Sequence, residues 1–87
     1  MQSIKIYTKN NCPYCDMAKS LLIQKGLAFE EENYQNDVSK ILALATKTGM
    51  RTMPQIFIGN KLIGGYDDLQ ALDDKGLLDQ MLNNEEE

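Results

Sequence analysis

The chain has 87 residues and a formal net charge of −4, with an isoelectric point near 4.7. This length provides one small hydrophobic core, so we predict a single domain over residues 1–87, and the acidic balance argues against nucleic-acid binding, which requires a basic surface. The sequence has no histidine, which removes histidine-activated nucleophiles and most zinc sites, and no apolar run approaches the roughly 18 residues of a membrane helix.

The first part of the chain alternates between strand-like and helix-like patterns. Apolar and polar residues alternate over residues 3–8, which predicts a first strand. Pro13 suits the first position of a helix, and Gly26 is a natural stop for the same helix. Residues 27–31 predict a second strand. Because a helix joins these two strands, we expect them to be parallel with a right-handed crossover.

A second helix and a hairpin follow. Apolar residues at helical spacing predict an amphipathic helix from about Val38, with Asn36 or Asp37 as its N-cap. Two strand-like runs within residues 55–63 flank Gly59-Asn60. This arrangement predicts a tight antiparallel hairpin, because Gly-Asn favours the turn that joins such strands.

The last part of the chain predicts a third helix and a polar tail. Asp67 stands three residues before Gln70, which is the spacing of a capping-box variant, and the apolar face of the helix extends to Leu82. Residues 83–87 are polar and acidic, so we predict that they fray. The order β-α-β-α-β-β-α predicts an α/β protein with a four-stranded mixed sheet flanked by helices.

The two cysteines lie at the junction between the first strand and the first helix. Cys12 and Cys15 enclose Pro13-Tyr14, and a C-x-x-C pair in this position is a redox signature. The start of a helix supplies unpaired N–H groups and a positive dipole end, which favour the thiolate that attacks disulfides. We predict that Cys12 faces solvent and is the nucleophile, and that Cys15, one turn inside, is the resolving thiol.

Other roles for the cysteines remain open at this point. They could be inert core residues, a structural disulfide that constrains the unfolded chain little, or half of an intermolecular metal or iron–sulfur site. Pro13 stiffens the turn and disfavours the metal site. Residues 1–5 lack the apolar segment of a signal peptide, so we expect a reducing, cytoplasmic compartment, in which the pair cycles.

Four segments carry a resemblance to a known family. They are Tyr7-Thr8-Lys9, Cys12-Pro13-Tyr14-Cys15, Thr52-Met53-Pro54-Gln55-Ile56-Phe57 and Gly64-Gly65-Tyr66-Asp67-Asp68-Leu69. With these motifs, the chain resembles a dithiol glutaredoxin of the short bacterial type from about Ile4 to Leu82. Met53 departs mildly from the valine of many relatives, and Tyr66 from the cysteine of several.

The resemblance implies both a fold and an activity. The fold is thioredoxin-like, and the activity is that of a glutathione–disulfide oxidoreductase. Such an enzyme reduces protein disulfides and protein–glutathione mixed disulfides, with glutathione as the reductant and with no metal. Glutaredoxin potentials of about −200 to −230 mV allow glutathione to reduce the cysteine pair.

The resemblance also implies which residues bind glutathione. Lys9 would hold a carboxylate and favour the nearby thiolate, and Tyr14 would form a wall of the site. The implied set is Lys9, Tyr14, Thr52, Met53, Pro54, Gly65, Tyr66, Asp67 and Asp68. Lys47 and Arg51 flank the same face, and their contact with the ligand is open.

Two parts of this implied site act through the backbone. A cis Met53–Pro54 bond would turn the Met53 N–H and C=O toward the peptide-like ligand. Gly64-Gly65 and the helix that follows would offer free N–H groups to an anion. The amine of the γ-glutamyl group would suit the carboxylate of Asp67 or Asp68.

The implied partners are glutathione, protein disulfides and glutathionylated proteins, with ribonucleotide reductase as a family-level expectation and a monomer as the expected state. One alternative is a thioredoxin-like electron donor that a flavoprotein reductase reduces. Another is a dimer that bridges an iron–sulfur cluster through Cys12 and glutathione. The acidic runs at residues 30–32 and 85–87 are interpreted as solvated charge.

Overall fold

The computed structural model describes residues 1–84. The elements, in chain order, are β1 (Ile4–Thr8), α1 (Pro13–Gln24), β2 (Glu30–Asn33), α2 (Val38–Thr48), β3 (Gln55–Ile58), β4 (Lys61–Gly64), α3 (Tyr66–Asp74) and α4 (Leu78–Asn83). Asn83 is the last residue of α4, so the tail expected to fray from residue 83 begins within a helix, and its acidic part at 85–87 lies outside the described residues. None of the helices described here is long and apolar enough to cross a bilayer.

The strands form one mixed sheet with the order β2-β1-β3-β4. β1 pairs with β2 in parallel, and β3 pairs antiparallel with both β1 and β4. Gly59 and Asn60 connect β3 to β4, as the hairpin prediction states. The four-stranded mixed sheet predicted from the sequence is therefore confirmed.

One face of the sheet carries the larger hydrophobic core, which α1, α3 and α4 cover. Ile4 and Ile6 of β1 point to this face because alternate residues of a strand share a side. The buried members of this core are Ile4, Ile6, Ala18, Leu22, Ile56, Ile58, Leu69, Leu78 and Leu82.

The opposite face packs against α2 and leads to the cysteines. Leu44 of α2, Met53, Cys12 and Cys15 form a second buried cluster, and Tyr7 of β1 packs against it. The carboxylate of Asp37 accepts a hydrogen bond from the N–H of Lys40 at 3.2 Å, so Asp37, and not Asn36, caps α2. This second cluster places the cysteine pair at one end of the sheet.

The second strand begins later than predicted. β2 spans Glu30–Asn33 instead of 27–31, because Leu27 continues the turn that closes α1, where its N–H donates to the carbonyl of Leu22 at 3.0 Å. The acidic residues are also paired rather than merely solvated. Lys5 lies 3.3 Å from Glu32, and this hydrogen bond and ion pair raise the pKa of the lysine.

The third helix begins at a different cap from the predicted one. Its N-cap is Gly65, and the carboxylate of Asp68 accepts the N–H of Gly65 at 3.0 Å, so the capping box lies two residues before the predicted Asp67–Gln70 pair. The helix also stops at Asp74. Gly76 has φ +69°, a left-handed conformation that ends the helix and makes α4 a separate element.

Candidate active site

The C-x-x-C pair lies at the start of α1, just after the loop that follows β1. Cys12 is the N-cap of α1 with an extended backbone, and Pro13 takes the first helical position. Cys12 and Cys15 form a disulfide with their Cα atoms 5.2 Å apart. The N–H of Cys15 donates to Cys12 Sγ at 3.2 Å, so the first turn of the helix points a donor at the sulfur that needs stabilisation as a thiolate.

The two cysteine residues differ in exposure, although less than the sequence suggests. Cys12 is 8% exposed and Cys15 is 1% exposed. The expectation that Cys12 faces solvent is therefore corrected, because the segment at Met53 lies over it and Met53 O is 3.7 Å from Cys12 Sγ. Cys12 remains the more accessible of the pair, and Cys15 lies inside the cluster.

A cavity of about 280 Å³ lies beside Tyr14 and the Met53 segment that covers Cys12. Its walls are Tyr14, Met50, Thr52, Met53, Pro54, Gly65, Tyr66, Asp67 and Asp68. Every residue in the implied set lines it except Lys9, and Met50 is a member that sequence reasoning missed. Met50 belongs to no motif, and no pattern in the sequence distinguishes it from a residue that only follows a helix.

One wall of the cavity is the segment that precedes β3. The Met53–Pro54 peptide bond is cis, which confirms that prediction. Both residues are buried, and a Cβ added at Gly65 would lie 3.6 Å from the Pro54 carbonyl oxygen, an ordinary contact distance. The start of α3 therefore lies beside the cis segment.

The opposite wall is the start of α3, where the two aspartates have different surroundings. Asp68 folds back onto the Gly65 N–H, and Gly64, at φ +129°, leaves the space that its carboxylate occupies. The carboxylate of Asp67 has no ion pair or hydrogen bond with any residue of the described chain. Asp67 is therefore the carboxylate available to a ligand.

Two tyrosines form the rim of the cavity. The rings of Tyr14 and Tyr66 are 6.3 Å apart and tilted by 31°. Tyr66 donates its hydroxyl to Gln70 Oε1 at 2.9 Å, which fixes its ring, whereas Tyr14 is 57% exposed. The rim thus offers one fixed and one exposed aromatic surface beside the disulfide.

The three predicted cations do not line this cavity. Lys9 and Arg51 are exposed, in the segments before Cys12 and Thr52. Lys47 lines a different depression, with Tyr7 and Leu44, on the face that α2 covers. In the described part of the chain, no group of three or more cysteine or acidic side chains is placed to hold a metal ion.

A comparison with known proteins identifies the family. The family model described as Glutaredoxin matches residues 4–63. The chain belongs to the glutaredoxin family. Glutaredoxin 3 of Escherichia coli (strain K12) is 46% identical over 82 residues, which cover 94% of this chain and 99% of that protein.

Solved glutaredoxin structures share the whole architecture. The solution structure of a glutaredoxin from Brucella melitensis has a TM-score of 0.85 and 41% identity, and the match covers 100% of this chain and 95% of that one. A buckwheat glutaredoxin in complex with glutathione has a TM-score of 0.83 and 33% identity, over 93% of this chain and 76% of that one. The predicted thioredoxin-like fold is confirmed.

Family and geometry together give the activity. The chain is a glutathione-dependent thiol–disulfide oxidoreductase of the dithiol type, because it combines the glutaredoxin fold with two cysteines at disulfide distance. This result confirms the predicted function and the predicted use of glutathione as reductant.

Proposed function

We propose that Cys12 is the nucleophile, that Cys15 resolves the mixed disulfide, and that glutathione occupies the cavity beside them. One observation carries this assignment. The Cys12–Cys15 disulfide lies at the start of α1, and Met53, which lines the cavity, also contacts Cys12. The greater exposure of Cys12 and the N–H that Cys15 directs at its sulfur support the division of roles.

The parts of glutathione match groups around the cavity. The free carboxylate of Asp67 suits the γ-glutamyl ammonium, and the unpaired N–H groups in the first turn of α3 suit the γ-glutamyl carboxylate. The backbone of Met53 lies beside the cysteinyl residue, next to Cys12. Lys9 does not line the cavity, but it lies three residues before Cys12. In this proposal, its ammonium group binds the glycine carboxylate of glutathione.

Catalysis proceeds by two thiol–disulfide exchanges on the substrate. The Cys12 thiolate attacks one sulfur of a protein disulfide, so that a bond from Cys12 Sγ forms while the substrate S–S bond breaks and the leaving thiolate takes up a proton. The Cys15 thiolate then attacks Cys12 Sγ, which forms the Cys12–Cys15 disulfide and releases the reduced substrate.

Glutathione returns the two electrons. One glutathione thiolate attacks Cys12 Sγ, which frees Cys15 and leaves Cys12 bonded to glutathione. A second glutathione attacks the bound glutathione sulfur and releases glutathione disulfide and the Cys12 thiolate. A glutathionylated protein enters the cycle at Cys12 directly, because its glutathionyl group fits the same cavity.

Protein substrates approach over the exposed surface beside the disulfide. Tyr14 and Met17 are both exposed and lie about one helical turn apart on α1, which provides an apolar rim for a partner protein. We propose that the protein works as a cytoplasmic monomer on protein disulfides and glutathionylated proteins, with ribonucleotide reductase as one such substrate.

The test compares reductants and cysteine variants. With glutathione, glutathione reductase and NADPH, the wild type should turn over a small mixed disulfide, and thioredoxin reductase with NADPH should support little. Cys15→Ser should keep the removal of glutathione, and Cys12→Ser should lose it. Fast reduction by thioredoxin reductase alone would favour the thioredoxin-like donor, and a coloured, dimeric protein would favour the cluster-bridging role.

A further inference from the structure

Three side chains from three elements meet at one carboxylate oxygen beside the disulfide segment. Thr8 Oγ1 of β1 donates to Glu31 Oε2 of β2 at 2.7 Å, and Lys19 Nζ of α1 donates to the same oxygen at 3.0 Å. We call Thr8, Lys19 and Glu31 the carboxylate clamp. Thr8 is 1% exposed, so water does not replace this partner of its hydroxyl group in the folded chain.

The clamp holds the disulfide segment at both ends. Thr8 lies four residues before Cys12, and Lys19 lies four residues after Cys15, which is about one turn farther along the helix. The stretch between them contains the loop at residues 9–11 and the first turn of α1, so both cysteines lie between the two donors along the chain.

The clamp is ionic at neutral pH. The hydrogen bond from Thr8 and the interaction with Lys19 hold the pKa of the Glu31 carboxyl below its usual value, against an opposing effect of burial. Lys19 also lies 3.9 Å from Asp16 Oδ1, so its ammonium group is placed among acceptors on the side of α1 that faces β2.

We propose that the carboxylate clamp positions Cys15 for attack on Cys12 in the resolving step. The inference rests on the proposed role of Cys15. In the oxidised protein the S–S bond already ties the segment, so the clamp restricts chiefly the dithiol and mixed-disulfide forms, in which no covalent bond joins Cys12 to the first turn of the helix at Cys15. A restrained segment raises the effective concentration of Cys15 at Cys12 Sγ.

Loss of the clamp therefore favours the dithiol form. For an ion pair whose side chains are 26% and 28% exposed, together with one hydrogen bond, we expect the equilibrium constant for closing the Cys12–Cys15 disulfide to fall about threefold. That change makes the reduction potential about 14 mV less negative, at 29.6 mV for each tenfold change in a two-electron couple.

The experiment compares two neighbouring glutamates of β2. Glu31→Ala breaks the clamp, and Glu32→Ala removes an ion pair with Lys5 on the other side of the strand. In glutathione redox buffers, Glu31→Ala should shift the potential as stated, and Glu32→Ala should leave it at the wild-type value. Lys19→Gln should shift the reduction potential in the same direction. Lys19→Arg, which retains the charge, should keep the wild-type potential.

A second readout separates positioning from general destabilisation. In the Cys15→Ser background no resolving step exists, so adding Glu31→Ala should leave the removal of glutathione from a small mixed disulfide unchanged. The inference is overturned if the potential of Glu31→Ala or Lys19→Gln equals that of the wild type, or if Glu31→Ala slows the Cys15→Ser protein as well. Wild-type turnover with glutathione, measured first, tests the proposed function separately.

Discussion

Two adjacent aspartates at the start of α3 show how one residue type performs different tasks at neighbouring positions. Asp68 closes the capping box on Gly65, and the missing side chain at Gly64 makes room for its carboxylate. Asp67 points its carboxylate at no residue of the described chain while it lines the cavity. The structure thus separates a residue that stabilises the helix from one that is free for glutathione.

Substitution of Asp67 should affect binding without affecting folding. Asp67→Asn removes the charge that we propose meets the γ-glutamyl ammonium, and we expect KM for glutathione to rise about fivefold at an exposed site, with the melting temperature unchanged. Asp79→Asn, the same change in the first turn of α4, is the control and should leave KM at the wild-type value. Equal KM values for the two variants would remove Asp67 from the glutathione site.

At the scale of the elements, side chains at helix and strand ends fix how each segment joins the sheet. Asp37 caps α2, which covers the face of the sheet that leads to the cysteines. The carboxylate clamp joins β1, β2 and α1 on the other side of the disulfide segment. Polar contacts at the ends of elements therefore supplement the apolar packing around the disulfide.

The N-cap role of Asp37 can be tested by comparing its substitution with that of the neighbouring Asn36. Asp37→Ala removes the acceptor for the Lys40 N–H and should lower the free energy of unfolding by about 1 kcal/mol in urea denaturation. Asn36→Ala, at the other residue that the sequence offers as a cap, should change it by less than about 0.5 kcal/mol. A larger loss from Asn36→Ala would mean that the two residues share the cap.

The clamp should also give stability a defined pH dependence. The folded protein holds the pKa of Glu31 below its unfolded value of about 4.3, so the contribution of Glu31 is complete well above that value and is lost as the pH falls through the folded pKa. The urea midpoint of Glu31→Gln should therefore lie below that of the wild type at pH 7, and the two should converge in acid. A constant difference between pH 7 and pH 3 would contradict this assignment.

At the scale of the whole molecule, the buried residues divide into a structural core and a reactive cluster. Leu22 belongs to the core beneath α1, α3 and α4, whereas Cys12 and Cys15 belong to the separate cluster at one end of the sheet. Most of the buried aliphatic surface lies in this first core. The chemistry is therefore located where packing contributes less to the stability of the fold.

A pair of neighbouring residues tests this separation. Leu22→Ala should lower the free energy of unfolding by about 2–5 kcal/mol, because it leaves a cavity in the core. Ile23→Ala should change it by less than about 0.5 kcal/mol, because Ile23 is 66% exposed. At temperatures where both variants are folded, their glutathione-dependent rates should match that of the wild type, and a selective loss in Leu22→Ala would refute the separation.

Much of the fold could be predicted from short-range patterns. The alternation in β1, the proline at the start of α1 and the Gly-Asn turn each depend on neighbouring residues, and the structure agrees with all three. β2 could not be placed correctly, because its residues are exposed and acidic. Its position depends on parallel pairing with β1 and on ion pairs to Lys5, which are contacts distant in sequence.

The candidate site was predictable to the extent that motifs carry it. The cavity wall from Thr52 to Pro54 and from Gly65 to Asp68 follows from the family resemblance. Met50 could not be found, because its place in the wall results from how the chain leaves α2. The closeness of Met53 to Cys12, which leaves Cys12 largely covered, likewise depends on tertiary packing that no local pattern encodes.

β2 lies at one border of the sheet, and no other strand within residues 1–84 pairs with its outer edge. Open strand borders invite a second molecule to add its own strand, which is a route to aggregation. Here the border strand carries Glu30, Glu31 and Glu32 in succession. If two molecules joined along this border, their glutamates would face one another, and like charges on opposed strands repel. The acidic strand that holds the clamp thus also disfavours edge-to-edge pairing with a second copy of itself.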